Sequence, residues 1–287
     1  MLSTLNNTQK GIFFALCGFV SFACADACAK WLGMRYDVLI VIFWIYYISL
    51  ILGLLFSPLL GGFKKTIQTK KFHIHIGRGL SAFGIALFVV SALKGIPLAM
   101  LYTILFMAPF IISIVAIPIY KEKVSAKNWL IIALGFCGVL VAFRPGFSDL
   151  QIEVLYALGA LFFIIVLSML ARPLDHEESV HSLSFYPSLI VVALLSTTVV
   201  PQLTLPAFHD MLFFILGGFC VTVGLSAIAY GFRIAPYSTV APIHYIQMVI
   251  ALTLGYFVFD DVPDIWMLGG AMIIIASGIM LALSKND

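Results

Sequence analysis

The sequence predicts an all-α integral membrane protein of ten transmembrane helices, laid out as a 5+5 inverted repeat. Three observations lead there. Of the 287 residues, 62% are hydrophobic and 10% are charged, too few polar groups to clothe a soluble domain and a fit for a chain solvated by lipid. Ten apolar windows of spanning length follow one another with only short loops between them; since a span takes roughly 20 residues, no stretch is left for a soluble domain. Segments of the first half also recur in the second at a near-constant spacing.

In order, the windows are 11–32, 37–57, 75–94, 97–120, 127–144, 152–172, 183–203, 210–233, 236–260 and 264–284. Backbone polar groups in hydrocarbon must be paired within a helix or a closed barrel, and the dyad alternation of a barrel is absent, so each window reads as a helix. The first window contains Ala23-Cys24-Ala25 and Ala27-Cys28-Ala29, which resemble cleavage sites. Only Lys10 precedes it, however, and Asp26 and Lys30 carry it onward, so it is read as a retained helix. Windows three and four are parted by Gly95-Ile96-Pro97, and eight and nine by Ile234-Ala235-Pro236. Proline suits a first turn because it lacks the N–H that such a turn leaves unpaired.

Lysine and arginine set the orientation. With the N-terminus inside, the cytoplasmic side collects Lys10, Lys64, Lys65, Lys70, Lys71, Arg78, Lys121, Lys123, Lys127, Arg172, Arg233 and Lys285, leaving Lys30, Arg35, Lys94 and Arg144 outside. Both termini are then cytoplasmic, which requires an even number of spans. A net charge of +3 gives no argument for nucleic acid.

Leu93-Lys94-Gly95-Ile96-Pro97 and Phe232-Arg233-Ile234-Ala235-Pro236 stand 139 residues apart, as do Tyr120-Lys121-Glu122 and Phe259-Asp260-Asp261. Ala15-Leu16 returns as Ala157-Leu158. A repeat of five spans is odd, so the second copy must be inverted. Residues 1–148 are expected to form the first unit and 149–287 the second.

At this point the chain resembles the drug/metabolite transporter superfamily in its EamA-type branch. The resemblance rests on Arg78-Gly79, Leu93 through Ala99, Ala108-Pro109, Glu122, Gly135 through Val139 and Arg144-Pro145-Gly146. In the second half it rests on Ala235-Pro236, Ala241-Pro242 and Phe259-Asp260-Asp261. It implies a cavity lined by helices one to four and six to nine, with helices five and ten at the periphery. The run from Thr239 to Pro263 is similar to bacterial S-adenosylmethionine uptake carriers. In one respect the chain departs from the pattern: many members place an arginine in helix two, where this chain reads Phe43-Trp44-Ile45-Tyr46-Tyr47, so that an anion-binding role borrowed from it does not transfer.

An ionisable group at a helix centre in lipid costs ~2.5–3.5 kcal/mol on insertion scales, so such groups mark candidate sites. Asp26 is either paired within its helix to Lys30, four residues on, or a cavity counter-ion for a cationic substrate or a coupling proton. His244 and Gln247 share a helix face; the histidine suits proton coupling or substrate hydrogen bonding, or is satisfied by a neighbouring helix. Tyr102, Tyr230 and Trp44 offer hydroxyls and rings to a substrate, or ordinary packing. Asp26, Trp44, Tyr102, Tyr230, His244 and Gln247 are thus the candidate substrate-binding residues, Asp26 and His244 the coupling groups, and Pro109 and Pro242 the gating positions. Gly135, Gly138, Gly269, Gly270 and Ser277 read as close helix packing. The run from Asp175 to His181 reads as a solvated hinge rather than a metal site. Cys24 and Cys28 share a face, and packing explains them better than redox chemistry.

The function expected is secondary active transport of a small polar metabolite by alternating access. The substrate is an amino-acid-derived or nucleoside-like zwitterion such as S-adenosylmethionine. An exporter of amines or drugs by proton antiport is the alternative, and a membrane-embedded enzyme is the alternative of another class. Neither H-E-x-x-H nor G-x-S-x-G occurs, and the absence of a P-loop points to a gradient or exchange rather than ATP. No cofactor or metal is called for. The expected partners are a small-molecule substrate, the lipid bilayer of a bacterial inner membrane and a proton or exchange counter-substrate. Oligomeric state is left open, and a monomer is compatible with all of this.

Overall fold

The computed structural model describes residues 6–57, 62–121, 125–143, 152–174, 178–202 and 205–283. Glu122, Lys123, Arg144, Pro145, Gly146, Asp175, His176, Glu177 and Lys285, and the boundary between 148 and 149, lie outside these described residues. Among the described residues the regular elements are helical: α1 (Asn7–Gly33), α2 (Val38–Phe56), a short α3 (Phe63–Ile67), α4 (Phe72–Leu93), α5 (Leu98–Leu105), α6 (Ala108–Tyr120), α7 (Ala126–Phe143), α8 (Ile152–Met169), α9 (Ser182–Val199), α10 (Phe208–Ile234), α11 (Tyr237–Val240), α12 (Ile246–Phe259) and α13 (Ile265–Leu283). Seven stretches are long and apolar enough to cross a membrane, Met100–Tyr120 being taken across the α5–α6 junction. Ala126–Ala142, Ile243–Phe259 and Ile265–Met280 are shorter apolar helices. Together these are the ten expected spans.

Local signals start the helices where the sequence places them. The Asn6 side chain accepts from the Gln9 N–H at 2.8 Å while Gln9 Oε1 accepts from the Asn6 N–H at 3.1 Å, a capping box that satisfies two otherwise orphaned donors. Asp37 caps α2 by accepting from the Leu39 N–H at 3.1 Å. Pro97 and Pro236 stand at the caps of α5 and α11.

Two expected spans are not continuous. The fourth breaks into α5 and α6 at Phe106 and Met107, and the ninth into α11, a 3-10 turn (Ala241–Tyr245) and α12. Pro109 and Pro242 open the segments after the breaks, where each leaves the carbonyl four residues earlier without its helical N–H. Both broken spans end alike. Lys121 and Asp260, 139 residues apart, are the two non-glycine residues with positive φ among those described, each at 54°. A left-handed residue stops a helix by turning its next N–H away from the ladder.

Early and late helices interleave. α1 packs along α10 and α4 along α8, while α2 lies on α9 and α10, and α4 also on α9. Counting spans, one meets eight, three meets six and seven, and two meets seven and eight. α7 pairs with α13, and both present apolar side chains outward, among them Leu130 at 75% and Met272 at 68% exposure, as lipid-facing helices do. A Cβ on Gly138 would come 3.0 Å from the Gly270 carbonyl oxygen, and one on Gly135 2.6 Å from Ser277 Oγ, whereas Gly269 faces open space. The small-residue seam therefore runs through Gly270 and not its neighbour.

Side-chain contacts tie the loops together at each end. Lys30 pairs with Asp261 and Arg35 with Asp210 at one end. At the other, Lys71 Nζ donates to the Pro173 carbonyl at 2.5 Å and the Tyr120 hydroxyl to that of Met169. The expectation of a solvated hinge before α9 is corrected there. Glu178 and His181 are buried, each 7% exposed. Glu178 accepts from the Thr69 hydroxyl at 2.6 Å and the Ser182 hydroxyl at 3.3 Å, faces His75 Nε2 at 3.4 Å, and its carbonyl accepts from Arg233 at 2.8 Å. A carboxylate in an apolar bundle needs such partners, and Thr69 with residues of α4 and α9 supplies them.

Candidate functional site

A cavity of about 870 Å³, counting its open mouth, lies among α1, α2, α4, α5, α8, α10 and the turn between α11 and α12. Among the described residues α7, α9 and α13 contribute nothing to its wall, so the seventh span, expected on the lining, stands behind it. Most of the wall is aliphatic or aromatic. Its polar groups are few and cluster where the broken spans cross α1.

Asp26 sits in the middle of this wall and is half-buried. The Tyr102 hydroxyl donates to Asp26 Oδ2 at 2.5 Å, and Gln247 Nε2 donates to the Tyr102 oxygen at 3.5 Å. The chain of three thus links α1 to both broken spans. Tyr102 is one turn before the α5–α6 break, and Gln247 follows directly on the 3-10 turn, so the breaks position both donors. His244, inside that turn, lies flat on Phe19 with ring centroids 4.7 Å apart and 18° between planes, and meets Phe106 edge-on at 5.6 Å. Lys30 does not pair with Asp26: its ammonium bonds Asp261 at 2.6 Å and covers the Phe259 ring.

Of the six residues expected to bind substrate, the structure brings together Asp26, Tyr102, His244 and Gln247 on one cavity. Trp44 and Tyr230 are not on its wall. Trp44 is 8% exposed and packs against Phe43, Tyr47 and Phe214. Tyr230 meets Phe14 edge-on and carries Arg233 over its ring. Tyr46, two positions beyond Trp44 and so on the other face of α2, lines the cavity and donates to the Ala82 carbonyl at 3.3 Å. Pro109 and Pro242 lie at the two breaks. Phe22 and Ser168 also line the wall; neither carries a charge that would have marked it in the sequence. Cys24 and Cys220 are not on the cavity wall.

The cavity is not symmetric about Asp26. Toward the Lys30 end it shares Ala29 and Val90 with a pocket of about 410 Å³ that reaches Lys30, Met34 and Lys94. Met34 is 64% exposed, so this side communicates with the surface. Toward the other end it shares Phe22, Leu167, Ser168 and Ile228 with a smaller pocket of about 250 Å³, lined also by Arg78 and Phe232, each 1% exposed.

Comparison with known proteins gives this geometry a context. Residues 9–144 match the EamA-like transporter family. The chain is 30% identical to an S-adenosylmethionine uptake transporter of Rickettsia conorii, over 100% of this chain and 97% of that protein. It is 23% identical to a riboflavin transporter of Vibrio cholerae, over 96% and 94% of the two chains. A solved crystal structure superposes with a TM-score of 0.74 over 96% of this chain and 97% of its own, at 18% identity, a likeness of fold alone.

Proposed function

The chain belongs to the EamA-like transporter family, and we propose that its cavity carries S-adenosylmethionine, or a close zwitterionic relative, into the cell. It is a multi-pass membrane protein that moves a small molecule. The observation that carries the substrate reading is Asp26. Among the described residues no cation is bonded to this carboxylate, and it faces an otherwise apolar and aromatic chamber. A sulfonium is a cation without N–H or O–H donors, so it is recognised by a fixed negative charge and by ring faces. Phe19, Tyr102 and His244 offer surfaces for a purine. Riboflavin, which is uncharged, would leave Asp26 without a counter-ion.

Transport runs by alternating access between halves 1–148 and 149–287, related by inversion, with the breaks at Pro109 and Pro242 as the places that bend. A gradient or an exchange drives it, Asp26 and His244 being the groups that hand over a proton or counter-substrate. In a bacterial inner membrane with both termini cytoplasmic, the Lys30 end faces outward. Export of amines by proton antiport is the second reading, favoured by the same unneutralised Asp26.

Uptake of labelled S-adenosylmethionine into proteoliposomes is the test. Saturable uptake of unaltered substrate is expected, reduced at least tenfold by Asp26→Asn, with little competition from riboflavin or simple amines. Amine movement without S-adenosylmethionine movement would overturn the substrate; recovery of altered substrate would overturn the carrier.

A further inference from the structure

Arg78 lies six residues beyond the start of α4, about 9 Å along the helix at 1.5 Å per residue, and its side chain is 1% exposed. Its Nη2 donates to the Leu183 carbonyl at 3.1 Å and its Nη1 to that of Leu167 at 3.4 Å. Both acceptors are spare. Leu183 stands four residues before Pro187 inside α9, and proline has no N–H to take that carbonyl. Leu167 is in the last turn of α8, where carbonyls run out of helical partners.

These bonds hold the guanidinium without neutralising it. Its Nε has no hydrogen-bond partner, and among the described residues no carboxylate forms an ion pair with it. Glu178, at the same end, is taken up by Thr69, His75 and Ser182. A buried cation left unpaired is strongly unfavourable, and a guanidinium fork matches the two oxygens of a carboxylate. Arg78 lines the void of about 250 Å³ that adjoins the central cavity. Phe22 stands on the wall of both chambers, one helical turn from Asp26, its ring seated on Gly224, where a Cβ would come within 2.7 Å of it.

We propose that Arg78 is the anion-accepting pole of the transport site: it takes the carboxylate of an amino acid whose remote cationic centre sits at Asp26, once Phe22 swings aside. The inference rests on the carrier reading above and narrows the substrate class. A turn of helix separates Asp26 from Phe22, about 6 Å, and Arg78 lies beyond. A substrate engaging both poles carries its cation several bonds away from its carboxylate. It also supplies, from helix three, the anion recognition that helix two lacks.

The experiment compares S-adenosylmethionine with its carboxyl methyl ester as stabilisers of the purified full-length chain, read as a shift in Tm. The wild type is expected to need at least tenfold less of the acid than of the ester. Arg78→Gln is expected to abolish that preference while its response to the ester is kept, and Arg78→Lys to retain part of it. Preference kept in Arg78→Gln, or response to both forms lost together, overturns the proposal, the second outcome marking a purely structural tie between α4, α8 and α9. A wild type that answers neither form refutes the substrate reading alone. The same acid–ester pairs of lysine, arginine and methionine then decide Arg78, and no acid preference among them overturns it. Should neither variant fold, phenylglyoxal modification of Arg78 in the wild type, followed by peptide mass, takes their place. Slowing by the acid and not the ester supports the assignment; equal protection, or no modification, overturns it.

Discussion

Lys30 turns away from Asp26, its neighbour one helical turn earlier on α1, and pairs with Asp261 of the other half at 2.6 Å. The nearest basic side chain in sequence is thereby removed from the cavity's carboxyl group, which keeps Tyr102 as its hydrogen-bond donor. The pair also ties the end of α1 to the left-handed end of α12, next to the cavity's mouth.

Lys30→Gln is therefore expected to leave substrate binding nearly intact. The side chains are 11% and 23% exposed, and partly solvated pairs of this kind contribute about 1 kcal/mol or less. A drop of at most a few degrees in Tm is expected, with recovery in the charge-reversed Lys30→Asp, Asp261→Lys double variant. Loss of binding as severe as in Asp26→Asn would mean that Lys30 sets the charge of the site.

Asp26→Asn is expected to act on affinity and not on folding, because the amide oxygen still accepts from Tyr102. The sulfonium donates no hydrogen bond, so the loss is one of charge; a weakening of roughly tenfold or more in Kd is expected, equivalent to about 1.4 kcal/mol, measurable by titration calorimetry in detergent.

Tyr102→Phe removes the donor that aims Asp26 and the acceptor that holds Gln247; about 1 kcal/mol, near fivefold in Kd, is expected. Tyr46→Phe serves as its control. That hydroxyl reaches only the Ala82 carbonyl, at 3.3 Å, and a change below about twofold is expected for so weak a bond.

Trp44→Phe is expected to leave Kd unchanged and Tm equal or higher. The indole Nε1 is buried without a hydrogen-bond partner, and removing an unsatisfied donor while keeping an aromatic ring relieves its desolvation cost of roughly 1–3 kcal/mol. A clear loss of binding would return Trp44 to the site.

Gly270→Ala is expected to destabilise by about 1–3 kcal/mol through overpacking, since the new methyl would meet the Gly138 carbonyl and Ala142 on α7. Gly269→Ala, facing open space, is expected to be neutral or to stabilise by up to about 1 kcal/mol, the helix preference of alanine over glycine. Thermal melts of the two variants side by side decide between them.

Hydropathy and charge placed the ten spans well because lipid allows few solutions for a backbone segment. The breaks in spans four and nine were foreshadowed only as Pro109 and Pro242; how the chain departs from a helix there depends on what the freed carbonyls meet, which sequence does not state. Asp26, His244 and Gln247 stood out as polar letters in apolar runs. Trp44 was chosen over Tyr46 because α2 is apolar on every side, so no periodicity marks its inner face. The partner of Lys30 was out of reach for a related reason: Asp261 is 231 residues away. Arg78 reads in the sequence as one more cytoplasmic charge at the opening of helix three, because the apolar window starts at 75; α4 starts at Phe72 and carries Arg78 further into the helix.

Because α1 rests mainly on α10 and α4 on α8, neither half carries its own complete set of neighbours. A ribosome finishes α1 about 200 residues before α10 emerges, a delay of roughly 10–40 s at ~5–20 residues per second. For about the first third of that interval Tyr102 is not yet made, and Gln247 is missing throughout it, so the nascent chain depends on the insertion machinery, or on transient water, to shelter the Asp26 carboxylate until synthesis is complete.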